Sequence, residues 1–394
     1  MSQPYWIEGL HYRSGEPVSL KLDNGVIVEV GVPERTEKEL PWIAPGFVDL
    51  QINGYLGMDF NRQPIADDLV GEATRSMWKE GVTSYLPTVT TNTAERIEQA
   101  LASIASACER DADAGRGVAG IHVEGPFISP EDGARGAHGL EYVRAPDWEL
   151  FQRWQEAAGG RIKIITLSPE WDSAESFIAN CSRSGVIASI GHTKATSEQI
   201  RRAVDAGAVM STHLGNAAHP ELPRHPNYIW DQLADDRLYA SLIPDGFHLP
   251  ETFLKVAMRV KGDKAVLVSD AVALAGLPAG EYKHQSGRSV FKTPEGKLVL
   301  GSNPKLLAGS AQMLLWGMEH LVRSGLCELA DAWDMASTRP ARLIGLPAGQ
   351  GIAVGAPADL VAYRTKGDRI QLLNTYKAGA SVYQSEPPEA AGFE

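Results

Sequence analysis

Apolar and polar residues alternate along most of this chain with the spacing of strands and helices. From residue 45 onward, short apolar runs rich in β-branched residues are separated by amphipathic stretches of helical length. Eight such runs occur: GFVDLQIN, TSYLPTVTT, VAGIHVEG, KIITLSPE, VIASIGHT, VMSTHLGN, YASLIPDG and AVLVSDAV. This alternation predicts an α/β protein in which parallel strands are joined by helices.

The two ends of the chain follow a different pattern. YWIEGL, VSLKLDNG and VIVEVG near one end, and GIAVGAPADLVAYR and RIQLLNTYKAGASVY near the other, predict short antiparallel strands. We expect both ends to combine into a small β-sandwich of residues 1–44 and 349–394, beside a central domain of residues 45–348. Two further helices are expected around 309–325 and 328–344.

Eight strand-helix repeats fit either a closed (β/α)8 barrel or an open doubly wound sheet. The loops after all the strands build the site of a barrel, whereas an open sheet concentrates polar groups at one switch point. Every run here ends in a polar group: Gln51 with Asn53, Thr88, Glu124, Glu170, His192, His213, Asp245 with His248, and Asp270. We therefore predict a TIM-type barrel.

Composition and charge exclude several other classes of protein. The 394 residues are 43% hydrophobic and 22% charged, which is typical of a folded enzyme. A formal net charge of −12 gives no electrostatic footprint for nucleic acid or for an anionic membrane. Three scattered cysteines without CxxC spacing, no export signal and no long apolar run predict a cytoplasmic protein.

Three of the strand ends carry candidate metal ligands. Glu124, His192 and His213 follow apolar strands, so in a barrel their side chains converge. One carboxylate and two imidazoles suit a catalytic Zn²⁺ with an open fourth position. A single histidine at a strand end is more often structural, but the convergence of three strands outweighs that interpretation. His122, two residues before Glu124, is either a core residue or a further ligand.

Asp270 follows the last strand, VLVSD, and is the candidate catalytic base. A carboxylate beside a metal can take a proton from water and pass it to a leaving group, which is the equipment of amide or ester hydrolysis. The alternative is a helix N-cap, but the AVALAGLP segment that follows is a poor helix start. The absence of GxGxxG after the first strand and of a P-loop leaves hydride and phosphoryl transfer without support.

Longer motifs cover nearly the whole chain in order. They are APGFVDLQINGYLGMDF, GVTSYLPTVTT, GIHVEGPFI, LSPE, GHTKAT, THLGNAA, DGFH, LVSDA, MASTRPARLIG and GAPADLV. With them the chain resembles the N-acetylglucosamine-6-phosphate deacetylases of the amidohydrolase superfamily. The resemblance implies the barrel, a β-sandwich from both termini, and hydrolysis of the acetamide of N-acetyl-D-glucosamine 6-phosphate to glucosamine 6-phosphate and acetate.

The resemblance also implies roles in catalysis. Many superfamily members bind a second metal through HxH on the first strand, where this chain has Gln51 and Asn53. One divalent metal is therefore expected, zinc first, with Fe²⁺, Co²⁺ or Mn²⁺ as alternatives. The three strand-end ligands bind it, and Asp270 acts as general base and then general acid. His138, in GARGAHG, contacts the substrate and helps polarise the acetyl carbonyl, although a loop histidine by itself would be expected in solvent.

Contacts with a small amino-sugar phosphate follow from the same resemblance. Asn216 and Ala217 are implied to bind the phosphate, and Arg224 to reach it from the neighbouring subunit of a homodimer. His248 is implied to touch the sugar or the phosphate, and Leu307 to lie over the acetyl group. Arginine suits a forked phosphate contact, but from the sequence alone Arg224 would be a solvated cation.

Residues 215–230 depart from the family pattern, which commonly reads THLYNAM, and Gly215 stands in place of the tyrosine. N-acetylgalactosamine 6-phosphate or a non-phosphorylated acetamido sugar is therefore an alternative substrate. A cyclic-amide hydrolase of the dihydroorotase or hydantoinase type shares the barrel but usually needs two metals and a carboxylated lysine. A catalytically inactive sugar-phosphate-binding protein is the alternative of another class, and the intact strand-end residues favour an enzyme.

Overall fold

An eight-stranded parallel sheet forms the centre of the computed structural model, which describes residues 3–34, 39–283 and 289–386. Each strand pairs with the next one along the chain. In chain order, the strands numbered here one to eight are Phe47–Ile52, Val82–Thr90, Ile121–Glu124, Ile162–Leu167, Ile187–Ile190, Met210–Ser211, Tyr239–Leu242 and Ala265–Leu267. Each overlaps one of the eight predicted runs, so the predicted TIM-type barrel is confirmed.

The barrel closes between its eighth and first strands through hydrogen bonds made just past the strand ends. The N–H of Asp270 donates to the carbonyl of Gln51 at 2.9 Å, and the N–H of Asn53 donates to the carbonyl of Ala271 at 2.8 Å. Ile52 and Ala271 form a parallel bridge at the same place. Closure therefore brings the side-chain amides of the first strand beside the carboxylate that follows the eighth.

Helices cover the outside of the barrel and bury one face each. The described helices are Leu69–Lys79, Ala94–Arg110, Ala112–Gly117, Trp148–Ala157, Ala174–Arg183, Ser197–Asp205, Tyr228–Ala234, Glu251–Lys261, Leu314–Arg323, Leu329–Ala336 and Thr338–Leu343. Short 3-10 turns occur at Leu140–Tyr142, Gly262–Lys264 and Pro347–Gln350. The helix predicted at 328–344 is two helices, because the backbone leaves the helical conformation at Ser337. No helix among the described residues is long and apolar enough to cross a bilayer.

Strands from both ends of the chain share one seven-stranded sheet. In spatial order its strands are Ala380–Gln384, Arg369–Lys377, Leu360–Lys366, Trp42–Pro45, Tyr5–His11, Pro17–Asp23 and Val26–Gly31. A buried ion pair fastens this sheet to the barrel, since Lys377 Nζ donates to Asp359 Oδ2 at 2.7 Å and to Ser84 Oγ of the second barrel strand at 3.0 Å. The separate β-structure built from both termini is confirmed, and its limits at residues 44 and 349 stay a prediction.

Two small sheets lie in the loops after barrel strands. Gly54–Tyr55 and Met58–Asp59 form a hairpin after the first strand. After the eighth strand comes a four-stranded antiparallel sheet of Gly280–Lys283, Ser289–Lys292, Leu298–Leu300 and Asn303–Leu307. Loops that follow barrel strands lie at the end of the barrel where active sites form. The four-stranded sheet therefore belongs to the same end as Asp270.

Candidate active site

Three barrel strands end in side chains that meet at one point. Glu124 Oε1 lies 2.9 Å from His213 Nε2 and 3.2 Å from His192 Nε2, and the two Nε2 atoms are 3.2 Å apart. All three side chains are buried. A tetrahedral ion with bonds of about 2.0–2.1 Å holds its ligand atoms about 3.3 Å apart, which is close to this spacing. The donor set therefore fits one divalent metal, and it is the one such cluster in the described part of the chain.

Hydrogen bonds orient the His192 ring toward that point. Its Nδ1 lies 3.0 Å from the carbonyl of Ala134, and because a carbonyl can only accept, Nδ1 carries the proton and Nε2 presents a lone pair. The loop can come this close because Gly136 has a φ of +59° and no side chain; a Cβ there would lie 3.3 Å from the ring. The loop after the third strand thus fixes the orientation of His192, the metal-ligand candidate that follows the fifth strand.

The electrostatics of the cluster favour an ionised carboxylate. Burial by itself would raise the pKa of Glu124, but its close contacts with the His192 and His213 rings outweigh that effect and hold the pKa well below its usual range. The Glu124 oxygen also accepts a hydrogen bond from Gln51 Nε2 at 2.9 Å. A buried negative charge facing two imidazole nitrogens is what a cation requires.

Left-handed backbone conformations mark the ends of the site strands. His192, His213 and Asp270 have φ values of +51°, +30° and +46°, and Ala217 has +47°. Non-glycine residues rarely adopt this region, and those that do cluster at functional sites because the surrounding structure has to hold them there. Three of the residues predicted from strand ends, His192, His213 and Asp270, therefore adopt this uncommon backbone conformation.

Asp270 faces the cluster from the eighth strand. Asn53 Nδ2 donates to its Oδ1 at 2.7 Å. Burial raises the pKa of Asp270 to about 6, and the negative charge of Glu124 acts in the same direction. A carboxylate whose pKa lies near neutrality is suited to both accepting and returning a proton. The sequence identified Gln51 and Asn53 as polar residues at a strand end and as replacements for HxH; the structure shows that each donates a hydrogen bond to a carboxylate of the site.

His122 is a core residue rather than part of the cluster. Its Nδ1 lies 3.0 Å from the carbonyl of Leu50 and its Nε2 lies 2.7 Å from Thr166 Oγ1, so both ring nitrogens are engaged within the barrel. The Thr166 hydroxyl in turn lies 2.6 Å from that of Thr212, the residue before His213. Of the two roles left open for His122, the geometry supports the one in the polar core.

His138 is placed beside the cluster, not in solvent. Its half-buried ring packs edge-on against that of His192, with centroids 4.4 Å apart and an angle of 78° between the planes. Burial and, after it, the neighbouring His192 together lower its pKa to about 3. A neutral imidazole next to the metal-binding residues can donate a hydrogen bond to a substrate oxygen.

The segment after His213 turns back over the site. The backbone N–H and the side-chain amide of Asn216 both donate to the carbonyl of His213, at 2.9 and 3.2 Å. Gly215 has a φ of +96°, and a Cβ there would lie 2.8 Å from Leu249 and Phe253. Those two side chains occupy the space into which a larger residue would extend, which accounts for the glycine where the family commonly has tyrosine.

The other residues predicted to contact the substrate lie in the segments after the sixth, seventh and eighth strands. Arg224 is exposed in the loop after the sixth strand. Leu307 ends the last strand of the four-stranded sheet, three residues before Ser310, which pairs with Ala271. His248 follows the seventh strand, and its ring acts to lower the pKa of Asp270. The places of Arg224 and Leu307 on a substrate stay predictions.

A parallel barrel with a Glu-His-His cluster and a carboxylate at its rim defines a metal-dependent hydrolase. A family model described as the amidohydrolase family matches residues 42–382. The chain therefore belongs to the amidohydrolase family, and within it to the N-acetylglucosamine-6-phosphate deacetylases.

Individual relatives support this placement. The chain is 36% identical over 323 residues to the N-acetylglucosamine-6-phosphate deacetylase of Bacillus subtilis (strain 168), covering 81% of this chain and 80% of that one. The N-acetylgalactosamine-6-phosphate deacetylase of Escherichia coli O157:H7 is 29% identical over 351 residues, or 87% and 89% of the two chains. The structure of a mutant N-acetyl-D-glucosamine-6-phosphate deacetylase from Mycobacterium smegmatis, in complex with N-acetyl-D-glucosamine-6-phosphate, superposes with a TM-score of 0.84 at 28% identity over 97% of this chain and 100% of that one.

Proposed function

We propose that this protein hydrolyses the acetamide of N-acetylglucosamine 6-phosphate, giving glucosamine 6-phosphate and acetate. The observation that carries the proposal is the position of Asp270 beside the cluster of Glu124, His192 and His213. A relative named for this reaction at 36% identity supports the choice of sugar over N-acetylgalactosamine 6-phosphate, whose named enzyme is 29% identical.

The side chains divide the chemistry among them. One divalent metal, which we propose is zinc, would be held by the Glu-His-His cluster and would supply the Lewis acid that activates water and polarises the acetyl carbonyl. Asp270 accepts the proton of the attacking water while Asn53 fixes one of its oxygens. His138 donates a hydrogen bond to the acetyl oxygen. The carbon–nitrogen bond then breaks, and Asp270 returns the proton to the leaving amine.

The sugar phosphate is held by residues around the rim. Asn216 and Ala217, three and four residues after His213, bind the phosphate, and exposed Arg224 adds a forked contact from the partner of a homodimer. His248 contacts the sugar or the phosphate, and Leu307 covers the acetyl group. We propose a cytoplasmic location for the enzyme, since three scattered cysteines without CxxC spacing suit a reducing compartment.

An acetate-release assay on four compounds tests the proposal. Zinc-loaded protein is given N-acetylglucosamine 6-phosphate, N-acetylgalactosamine 6-phosphate and the two unphosphorylated sugars. We expect the first to have the highest kcat/KM. A higher value for the galacto compound or for an unphosphorylated sugar would replace the proposed substrate. Binding of the sugar phosphate without acetate release from metal-loaded protein would support an inactive binding protein instead.

Replacing Arg224 with alanine is expected to raise KM for the 6-phosphate substrate about tenfold or more, because a charge-assisted phosphate contact is lost. Hydrolysis of the unphosphorylated sugar should not change. Steady-state kinetics on both compounds measure the difference, with Arg259→Ala as the control because Arg259 is an exposed arginine on the helix Glu251–Lys261. Equal effects of Arg224→Ala on both sugars would exclude a phosphate contact.

A further inference from the structure

A second carboxylate–histidine pair lies after the seventh barrel strand, next to the strand that leads to Asp270. Asp245 Oδ2 lies 2.6 Å from His248 Nδ1, and the side chains are 4% and 10% exposed. The other oxygen of Asp245 accepts hydrogen bonds from the backbone N–H groups of Phe247 and His248, at 2.8 and 2.9 Å. Both oxygens of Asp245 are therefore occupied within its own loop, and the carboxylate is directed at the histidine ring rather than at the site.

The contacts of Asp245 determine the state of the His248 ring. An ionised carboxylate can only accept a hydrogen bond, so Nδ1 of His248 carries a proton and the ring turns Nε2 away from Asp245. Burial acts to raise the pKa of Asp245, but the hydrogen bonds from His248 and the two backbone groups outweigh it and lower that pKa. The pair thus keeps a negative charge behind the ring and leaves Nε2 as the hydrogen-bond acceptor, which suits a hydroxyl group of a ligand.

Side chains outside the barrel contact the loop that carries this pair. Trp316 Nε1 donates to the backbone carbonyl of Asp245 at 3.2 Å. Arg369, from the seven-stranded sheet, lies over the Trp316 ring at 5.0 Å and pairs with buried Glu319 at 2.6 Å. A continuous set of contacts therefore joins the sheet built from the chain termini to the back of the Asp245–His248 pair.

We infer that Asp245 is a positioning residue for substrate binding: it holds His248 in one orientation and one tautomer so that Nε2 accepts a hydrogen bond from a hydroxyl group of the sugar phosphate. Trp316 supports the same loop. The inference rests on the proposed function, because His248 contacts the substrate only if a sugar phosphate occupies the site. Asp245 acts through His248, so its contribution should disappear when His248 can no longer make that contact.

A double-mutant cycle tests this dependence. Asp245→Asn keeps the shape of the side chain but removes its charge. The amide can donate a hydrogen bond to Nδ1 as well as accept one from it, so His248 is no longer restricted to one tautomer. We expect Asp245→Asn and His248→Gln each to raise KM for the sugar phosphate about tenfold, with a much smaller change in kcat. In the His248→Gln background, Asp245→Asn should cause no further change. A second tenfold rise in that background, or an unchanged KM in the single variant, would overturn the inference.

Asp111→Asn is the matched control. Asp111 also accepts two backbone hydrogen bonds, from Asp113 and Ala114, and one from an arginine, but it lies before the third barrel strand at the opposite end of the barrel. Its substitution should leave KM unchanged. Melting temperatures of all variants show whether they are folded. If Asp245→Asn does not fold, Trp316→Phe removes the donor to the Asp245 carbonyl together with part of the ring under Arg369, and it should raise KM severalfold in the wild type and not in His248→Gln.

The proposed function and this inference can fail separately. If the unmodified enzyme does not cleave N-acetylglucosamine 6-phosphate, the proposed substrate is wrong, and the cycle is measured on the acetamido sugar that the enzyme does cleave. If the enzyme cleaves the sugar phosphate but the effects of Asp245→Asn and His248→Gln are additive, the proposed function stands and the role of Asp245 is wrong.

Discussion

Asp270→Asn is expected to lower kcat for acetate release by about 10²–10⁴-fold, while the protein keeps its metal. The amide has the same shape, and Asn53 beside it can still form a hydrogen bond by rotating its own amide. What disappears is the group that takes a proton from water and returns it to the amine. Because that group acts in both halves of the reaction, no other described side chain at the site replaces it.

The comparison needs three measurements on one preparation: kcat, metal content and melting temperature. Asp147→Asn is the control, because Asp147 is a carboxylate that caps the helix Trp148–Ala157 away from the cluster. It should lose some stability and no catalytic rate. Near-normal kcat in metal-replete Asp270→Asn would assign the proton transfers to another residue. A parallel loss of metal would mean instead that Asp270 is needed to hold the ion.

His192→Asn is expected to reduce bound metal from about one ion per chain to near zero, and acetate release to background. His192 Nε2 is one of three ligand atoms within 3.2 Å of one another, and its orientation is set by the Ala134 carbonyl. Asparagine is too short to place a donor atom there. Chelation of the metal from the unmodified enzyme should have the same effect, and added zinc should restore activity to the unmodified enzyme alone.

Metal loss should also lower stability. An ion present at 1,000 times its dissociation constant stabilises the folded state by about 4 kcal/mol, so the apoprotein should melt at a lower temperature than the metal-loaded form. His219→Asn is the control, since His219 is hydrogen-bonded to Tyr228, the first residue of the helix Tyr228–Ala234, and lies outside the cluster. Its metal content should match the unmodified enzyme. Full activity after complete metal removal would contradict a metal-dependent mechanism.

The amides of the first strand bear on the number of metals. Where related barrels place two histidines, Gln51 and Asn53 use their N–H groups as donors to Glu124 and Asp270. Zinc takes histidine nitrogen, cysteine sulfur and carboxylate oxygen as its protein ligands, and neither of these amide side chains offers one. These contacts support the proposal of a single ion, and they give the first strand a role in holding the two carboxylates in place.

Much of the fold could be predicted from sequence because it depends on local periodicity. Eight apolar runs of strand length separated by helical stretches appear as eight parallel strands. A barrel places every strand end at the same face, so the identity of Glu124, His192, His213 and Asp270 as strand-end residues was enough to predict that they converge. The convergence of the three ligands and the placement of Asp270 near them are in the structure, and their catalytic roles remain to be measured.

Other features depended on contacts between residues far apart in the chain. Its position in a loop suggests that His138 lies in solvent. The structure instead packs its ring against that of His192, 54 residues further along the chain, because the loop comes close at Gly136. The sequence allows His122 to be a core residue or a metal ligand. The contact of its ring with the carbonyl of Leu50 places it in the core. The pairing of Trp42–Pro45 with Leu360–Lys366 joins segments separated by most of the chain. Periodicity records which side of an element is buried, but not which distant residue it is buried against; only the tertiary structure decides that.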